Sequence, residues 1–274
     1  MQSPTEPEAG APHSQIAFNY ATDSENRMHS DEGARPFGFR GGLVPGIGDY
    51  AYLVPPVLRA LGSEWALHGW MEVKLLKPVY DGDEVEARAA WAGDEHEEVT
   101  LELFGEGGVL CAKGAAGIAI EEESELSALP EAVLPPEEER PPASLEALSQ
   151  GSVLGSLTIV LDEATLRAEW RRQFGSAGEW PQDAPPPHPA FYPDLGNRIL
   201  SSNVLLGPWI HTQSRTRHLQ APSWGEEITV RGVVRQAFER RGHEIVELDV
   251  DFVGADGRTL ARLDHRAIIR PRRR

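Results

Sequence analysis

The sequence has a single cysteine in 274 residues, Cys111. One thiol makes no intrachain disulfide and no cysteine-based zinc site, so Cys111 reads as a small buried side chain and a reducing cytoplasm is the expected compartment. Long apolar runs are also missing, and nothing approaches the ~20 residues of a membrane span. Basic residues are scarce: 26 Lys and Arg stand against 43 Asp and Glu, for a formal net charge of −17. A phosphate backbone would be repelled, which excludes nonspecific nucleic-acid binding. The exception is the end of the chain, where Arg270, Arg272, Arg273 and Arg274 form either a solvated charge run or a holder for an anionic group such as a nucleotide phosphate. The first 14 residues have neither the basic region nor the apolar core of a secretory signal and read as a disordered tail. There is no phosphate-binding P-loop and no Gly-x-Ser-x-Gly nucleophile elbow. The nine histidines show no paired spacing for a metal, so no metal and no cofactor are expected.

What remains is a soluble globular composition, 40% hydrophobic and 25% charged. Ile16 to Tyr20 suits a first strand, and a helical turn is expected from Asp31 to Arg35. The apolar stretch Ile47 to Leu61 suits a buried helix, which Pro55 and Pro56 must kink or divide. Four strands follow, over Trp70–Leu76, Glu84–Trp91, Glu98–Phe104 and Val109–Ile120. In the third, Val99, Leu101 and Leu103 alternate with Thr100, Glu102 and Phe104, the pattern of an antiparallel strand with one buried face. From Glu121 to about Gln150 the composition shifts to Glu, Pro, Ala and Ser, which predicts a surface linker. A strand over Leu157–Leu161 and a helix over Glu163–Phe174 come next. A second buried helix is expected over Leu195–Leu206, then strands over Trp209–Leu219, Glu227–Gln236, Glu244–Phe252 and Thr259–Arg270.

The order of one helix and four strands therefore occurs twice. His68 and His211 lie 143 residues apart, as do Leu76 and Leu219, Gly82 and Gly225, and Val85 and Ile228. One later hairpin is about four residues longer in the second half. This reads as a duplication, with each unit a curved antiparallel sheet around a long helix and the two units paired as a pseudo-dimer. The expected organisation is a tail over 1–14, a first unit over 15–120, a linker over 121–150 and a second unit over 151–274.

Polar and glycine residues concentrate between Tyr20 and Tyr50. Asp23, Ser24, Glu25, Asn26, His29 and Asp31 are followed by glycines at 38, 41, 42, 46 and 48. An imidazole three residues after an amide and beside carboxylates is the chemistry of a positioned general base. Gly41, Gly42 and Gly46 answer either to unusual backbone angles or to close approach of a ligand. Asp31 reads as a helix-start residue. His68, His211, His218 and His265 read as satisfied residues of the predicted strands.

The duplicated helix-in-sheet arrangement resembles the double hotdog fold, an α+β architecture. Residues 20–50 resemble the motif of the MaoC-like, or R-specific, enoyl-CoA hydratases. That motif runs Asp, a spacer, Asn, Pro, an aliphatic residue and His, then Gly-Phe-Gly-Gly and a His-Gly at the helix start. Here the matching residues are Ser24, Glu25, Asn26, Arg27, Met28 and His29, then Gly38-Phe39-Arg40-Gly41-Gly42 and Pro45-Gly46. The resemblance implies reversible addition of water to a 2-enoyl thioester carried by coenzyme A or an acyl carrier protein. It makes His29 the catalytic histidine, Asn26 the support of its loop, and Gly46 a residue near the turn that binds the thioester oxygen. Ser24 stands where the family has its catalytic Asp, and a hydroxyl is no carboxylate base. Asp23 or Glu25 serves if the loop is shifted by one residue, or Ser24 orients a water. The second half, with His188 but no cluster around it, is expected to shape the acyl tunnel. The alternatives are a hotdog that only binds an acyl chain or another apolar ligand, or one with another reaction such as thioester hydrolysis or a cyclisation. The expected assembly is a monomeric pseudo-dimer or a homodimer of it, with no membrane or nucleic-acid partner.

Overall fold

The computed structural model describes residues 9–93, 96–118 and 127–272. Among these residues ten strands build one antiparallel sheet: β1 (His13–Ile16), β2 (Trp70–Leu75), β3 (Glu84–Trp91), β4 (Glu98–Gly105), β5 (Val109–Gly117), β6 (Val153–Val160), β7 (Ile210–His218), β8 (Glu227–Arg240), β9 (His243–Gly254) and β10 (Thr259–Arg270). Their order across the sheet is β1-β3-β4-β5-β2-β7-β10-β9-β8-β6. Read outward from the centre, each half repeats the same strand sequence. At the centre β2 pairs with β7, and Glu72 stands opposite Arg215. Those two residues are 143 apart, the same offset that relates the halves in sequence. The pseudo-twofold axis therefore passes between Glu72 and Arg215. Trp70 and the Arg215 guanidinium, 5.1 Å from the ring centre, add a cation–π contact across that seam.

Alternation places the core as expected. Val99, Leu101 and Leu103 of β4 are buried, and so are Ile228, Val230 and Val234 of β8. Against this face pack the helices α2 (Gly46–Tyr52) and α3 (Val54–Leu61) in the first half and α6 (Phe191–Asn203) in the second. The break between α2 and α3 falls at Leu53, ahead of Pro55 and Pro56. Two residues without N–H groups cannot continue one ladder, but they sit without cost in the first turn of a new helix. Tyr50, Tyr52, Leu53 and Val57 are fully buried, and each large apolar side chain so placed contributes roughly 1.5–3 kcal/mol. The helix α5 (Glu163–Phe174) spans the expected residues; the Asp162 side chain caps it, accepting from the Thr165 N–H at 2.8 Å.

Several boundaries differ from the expectation. The first strand lies earlier, over His13–Ile16, because those residues pair with β3. Of the expected tail, residues 1–8 lie outside the described residues, while His13 and Ser14 belong to that strand. His68 ends the short helix α4 (Trp65–His68) and is not on a strand. The second central helix starts at Phe191, four residues before the expected Leu195, since Pro193 fits its first turn. Of the acidic linker, residues 127–150 lie along the second half. The Leu129 N–H donates to the Asp251 carboxylate at 2.9 Å, the Ser156 N–H donates to the Ala132 carbonyl at 2.9 Å, and Leu148 is fully buried. Among the described residues no helix is long and apolar enough to cross a membrane. A remaining short helix, α1 (Asp31–Ala34), forms the turn expected at Asp31.

Candidate active site between the halves

A cavity of about 370 Å³ opens where the two halves meet. The first half contributes Asn26, His29, Gly46 and Asp49 to its lining; the second contributes Trp209, His211 and Asn197. Apolar side chains such as Met28, Leu43, Leu75 and Ile268 form much of the rest.

His29 ends a single 3-10 turn over Arg27–His29. The Asn26 side chain caps that turn, its Oδ1 accepting from the Met28 N–H at 3.2 Å. The same amide reaches the second half. Its Oδ1 accepts from the Trp209 N–H at 3.3 Å, and its Nδ2 donates to the Trp209 carbonyl at 3.0 Å. Asn26 thus ties the loop to the opposite unit, and its Nδ2 lies 3.3 Å from His29 Nε2. His29 Nδ1 lies 2.8 Å from the Leu43 carbonyl. A carbonyl only accepts, so Nδ1 carries the proton and Nε2 keeps its lone pair. Burial lowers the His29 pKa, and the Leu43 bond opposes this in part. The ring is a neutral base at the edge of a cavity.

The glycines divide. Gly46 lines the cavity, where a Cβ would stand 2.3 Å from Leu75 Cδ1 and 3.2 Å from His211 Nδ1. Gly41 and Gly42, expected to serve unusual backbone angles or close approach of a ligand, are not among its lining residues. A Cβ on Gly42 would fall 2.2 Å from the His29 carbonyl oxygen, and the Gly42 N–H donates to Asp31 Oδ1 at 2.9 Å. On Gly41 it would fall 2.8 Å from the same carboxylate oxygen. These two glycines let the chain press against the His29 loop and hold it.

Asp23 and Ser24, expected as the acid–base partner, are exposed and outside the cavity lining. The turn closed by the Ser24 N–H on the Ala21 carbonyl, 3.0 Å, leaves both side chains toward water, and Ser24 Oγ donates to the Asn26 carbonyl at 3.4 Å. Asn26 itself is held on two sides, by the Met28 N–H and by the Trp209 backbone. Asp31 is exposed too; besides Gly42 it pairs with Arg35 at 2.8 Å.

The carboxyl that does reach the cavity is Asp49, on α2. It is 3% exposed, and its Oδ1 has no hydrogen-bond partner among the described residues. Burial, followed by the charge of Asp83, pushes its pKa well above the usual carboxylate range. Asp83 itself is held by Arg40 and by the Tyr80 N–H at 3.0 Å. A lone carboxyl inside the apolar run Ile47–Leu61 was the signal available in the sequence. His211 gave no such signal, since it sits on a strand with ordinary alternation. His188, the one histidine of the second half's Pro-rich loop, is fully buried. Its Nε2 bonds the Ala177 carbonyl at 3.0 Å, and its Nδ1 accepts from the Ala190 N–H at 3.1 Å. It is a structural residue. At the C-terminus Arg272 is exposed and lines the cavity, as does Lys77, whereas Arg270 pairs with Glu244. Arg273 and Arg274 lie outside the described residues.

No family model matches the chain, and no curated protein matches it. Solved structures do. The chain is similar to a conserved hypothetical protein from Mycobacterium tuberculosis with a double hotdog fold (TM-score 0.64, 12% identity, 96% of this chain and 98% of that one). It is similar to a MaoC-like dehydratase (TM-score 0.59, 13% identity, 93% and 95%). A third similar structure is assigned as an oleoyl thioesterase, from Lactobacillus plantarum (TM-score 0.53, 11% identity, 96% and 98%). The chain has the double hotdog fold, with the two hotdog units in one polypeptide. The likeness to MaoC-like dehydratases, drawn first from residues 20–50, is met at the level of that fold.

Proposed function

We propose that the chain binds an acyl thioester in the cavity between its halves and performs acid–base chemistry on it, adding water to a 2-enoyl thioester or removing it. The observation that carries this reading is the pairing of two groups at one cavity: a neutral imidazole whose Nε2 is unprotonated and faces only the Asn26 amide, and a buried carboxyl biased toward its protonated form. In hydration, His29 Nε2 takes a proton from water as the oxygen adds to the β-carbon. Asp49, as the neutral acid, delivers a proton to the α-carbon. Each of the two groups is in the protonation state its task requires. Asp49 thereby replaces the loop carboxylate that Ser24 lacks. The exposed cations Lys77 and Arg272 suit the phosphates of a coenzyme A or carrier-protein arm.

A second reading has its own support. Asp49 lies on the helix rather than on the His29 loop, and a carboxyl there can also direct water at the thioester carbonyl. The structural likeness extends to a protein assigned as a thioesterase. One experiment separates the two. The protein is given crotonyl-CoA and butyryl-CoA, and enoyl absorbance and free thiol are followed together. Loss of enoyl absorbance without thiol release supports the hydratase; thiol release from both supports hydrolysis. Absence of either over a range of chain lengths, with binding retained, leaves a non-catalytic acyl binder.

A further inference from the structure

A chain of buried polar side chains crosses the second half behind the cavity. His211 Nε2 lies 2.8 Å from Ser214 Oγ, Ser214 Oγ lies 2.9 Å from His265 Nδ1, and His265 Nε2 lies 2.9 Å from Asn197 Oδ1. Ser214 and His265 are fully buried, His211 is 6% exposed, and the two imidazoles stack at 4.6 Å. Both ends of this chain, His211 and Asn197, line the cavity.

The partners fix the protons. Asn197 Oδ1 only accepts, so His265 carries its proton on Nε2 and its Nδ1 is an acceptor. Ser214 has one proton and gives it to His265 Nδ1. Its oxygen then accepts from His211, which must hold its proton on Nε2. His211 Nδ1 is left as a bare lone pair. That atom stands beside Gly46, on the wall of the cavity, and has no hydrogen-bond partner among the described residues. Burial, opposed in part by the Gln213 backbone, lowers the pKa of His211 to about 4, so the ring stays neutral at ordinary pH. A buried acceptor without a partner is costly unless a ligand supplies the donor.

We infer that His211 is a second imidazole of the ligand site, accepting a hydrogen bond at Nδ1 from an O–H or N–H group of the bound molecule, with Ser214, His265 and Asn197 as the residues that position it. The inference rests on the acyl-thioester reading for the identity of that molecule, and not for the tautomer. It favours a ligand whose acyl part carries a donor over one that does not.

The test has two parts. Nitrogen NMR on isotope-labelled histidine reads the tautomer without any ligand. His211 is expected with its proton on Nε2, and Ser214→Ala is expected to relax that preference while the fold is kept. Equilibrium binding is then compared for 3-hydroxybutyryl-CoA and butyryl-CoA. The hydroxy compound is expected to bind about tenfold more tightly, the scale of one hydrogen bond to a buried acceptor. His211→Phe is expected to erase the difference. His211→Asn, whose side-chain oxygen lies close to the Nδ1 position, is expected to restore part of it. A proton on Nδ1 in the parent protein overturns the inference, and so does equal binding of the two thioesters. If neither thioester binds while the Nε2 tautomer is seen, the acyl-thioester reading fails and the ligand assignment falls with it.

Discussion

The two ends of the molecule related by the pseudo-twofold have been finished in opposite ways. The 143-residue offset carries Asp49 onto Tyr192, Leu75 onto His218 and His211 onto His68. At the first end these positions give a buried carboxyl, an apolar wall and a buried imidazole around a cavity. At the second, Tyr192 packs on His218 at 5.2 Å and on Phe252 at 4.8 Å, Trp65 lies 5.6 Å from His218, and His218 bonds the Ala66 carbonyl at 2.9 Å. His68 is exposed. Aromatic rings fill at one end the volume that is lined with polar groups at the other. One backbone plan thus supports a packed plug or an open cavity, and the difference lies in a few side chains.

The contrast breaks most visibly through His29. His29→Ala is expected to lower kcat/KM on the enoyl thioester by about 10²–10⁴-fold with folding unaffected, as loss of a general base does; a normal rate in the variant would remove the first end's claim to chemistry. At the packed end the expected loss is of stability. Tyr192→Ala should cost about 3–5 kcal/mol in urea unfolding, as truncation of a buried aromatic does. A cost below about 1 kcal/mol would mean that these rings are not a packed plug.

Acid sharpens the comparison. Burial lowers His188, His211 and His218 to about 4. The unfolded chain takes up protons below its histidine value of about 6.5, so this stability is complete above that pH and is lost as the pH falls toward 4. The loss is on the order of 3 kcal/mol for each ring. His218→Phe should make the acid limb of the stability curve shallower. Asp49 has the opposite sign. Its raised pKa means that the native state keeps a proton the unfolded chain releases, so its contribution declines as the pH rises above about 4. Asp49→Asn should flatten that decline and change stability near pH 5 by less than about 1 kcal/mol, the smallest of these effects.

The fold was largely legible in the sequence because its signals are local. Val99, Leu101 and Leu103 announce their buried face by alternation, and Asp162 with Gly175 bounds α5. The duplication was legible because GDEV at 82–85 and GEEI at 225–228 occupy the same turn and strand start in both halves. Half of the proposed site was legible as well, since Asn26 and His29 are three residues apart and meet through one turn. Asp49 and His211 were not. They come to one cavity only when β7 pairs with β2 and α2 packs beneath them, and no short window of sequence holds both. Asp23 and Ser24 lie outside the cavity for the complementary reason: closeness in sequence to His29 does not turn a side chain toward the same space.

The seam at Glu72 and Arg215 has a consequence for how such a protein changes over time. In an assembly of two identical chains, every substitution is installed at both mouths at once, and a residue that improves one must be tolerated at the other. Here a single polypeptide crosses the axis, so each mouth inherits its own alterations. A tyrosine can close one doorway without touching the aspartate in the other.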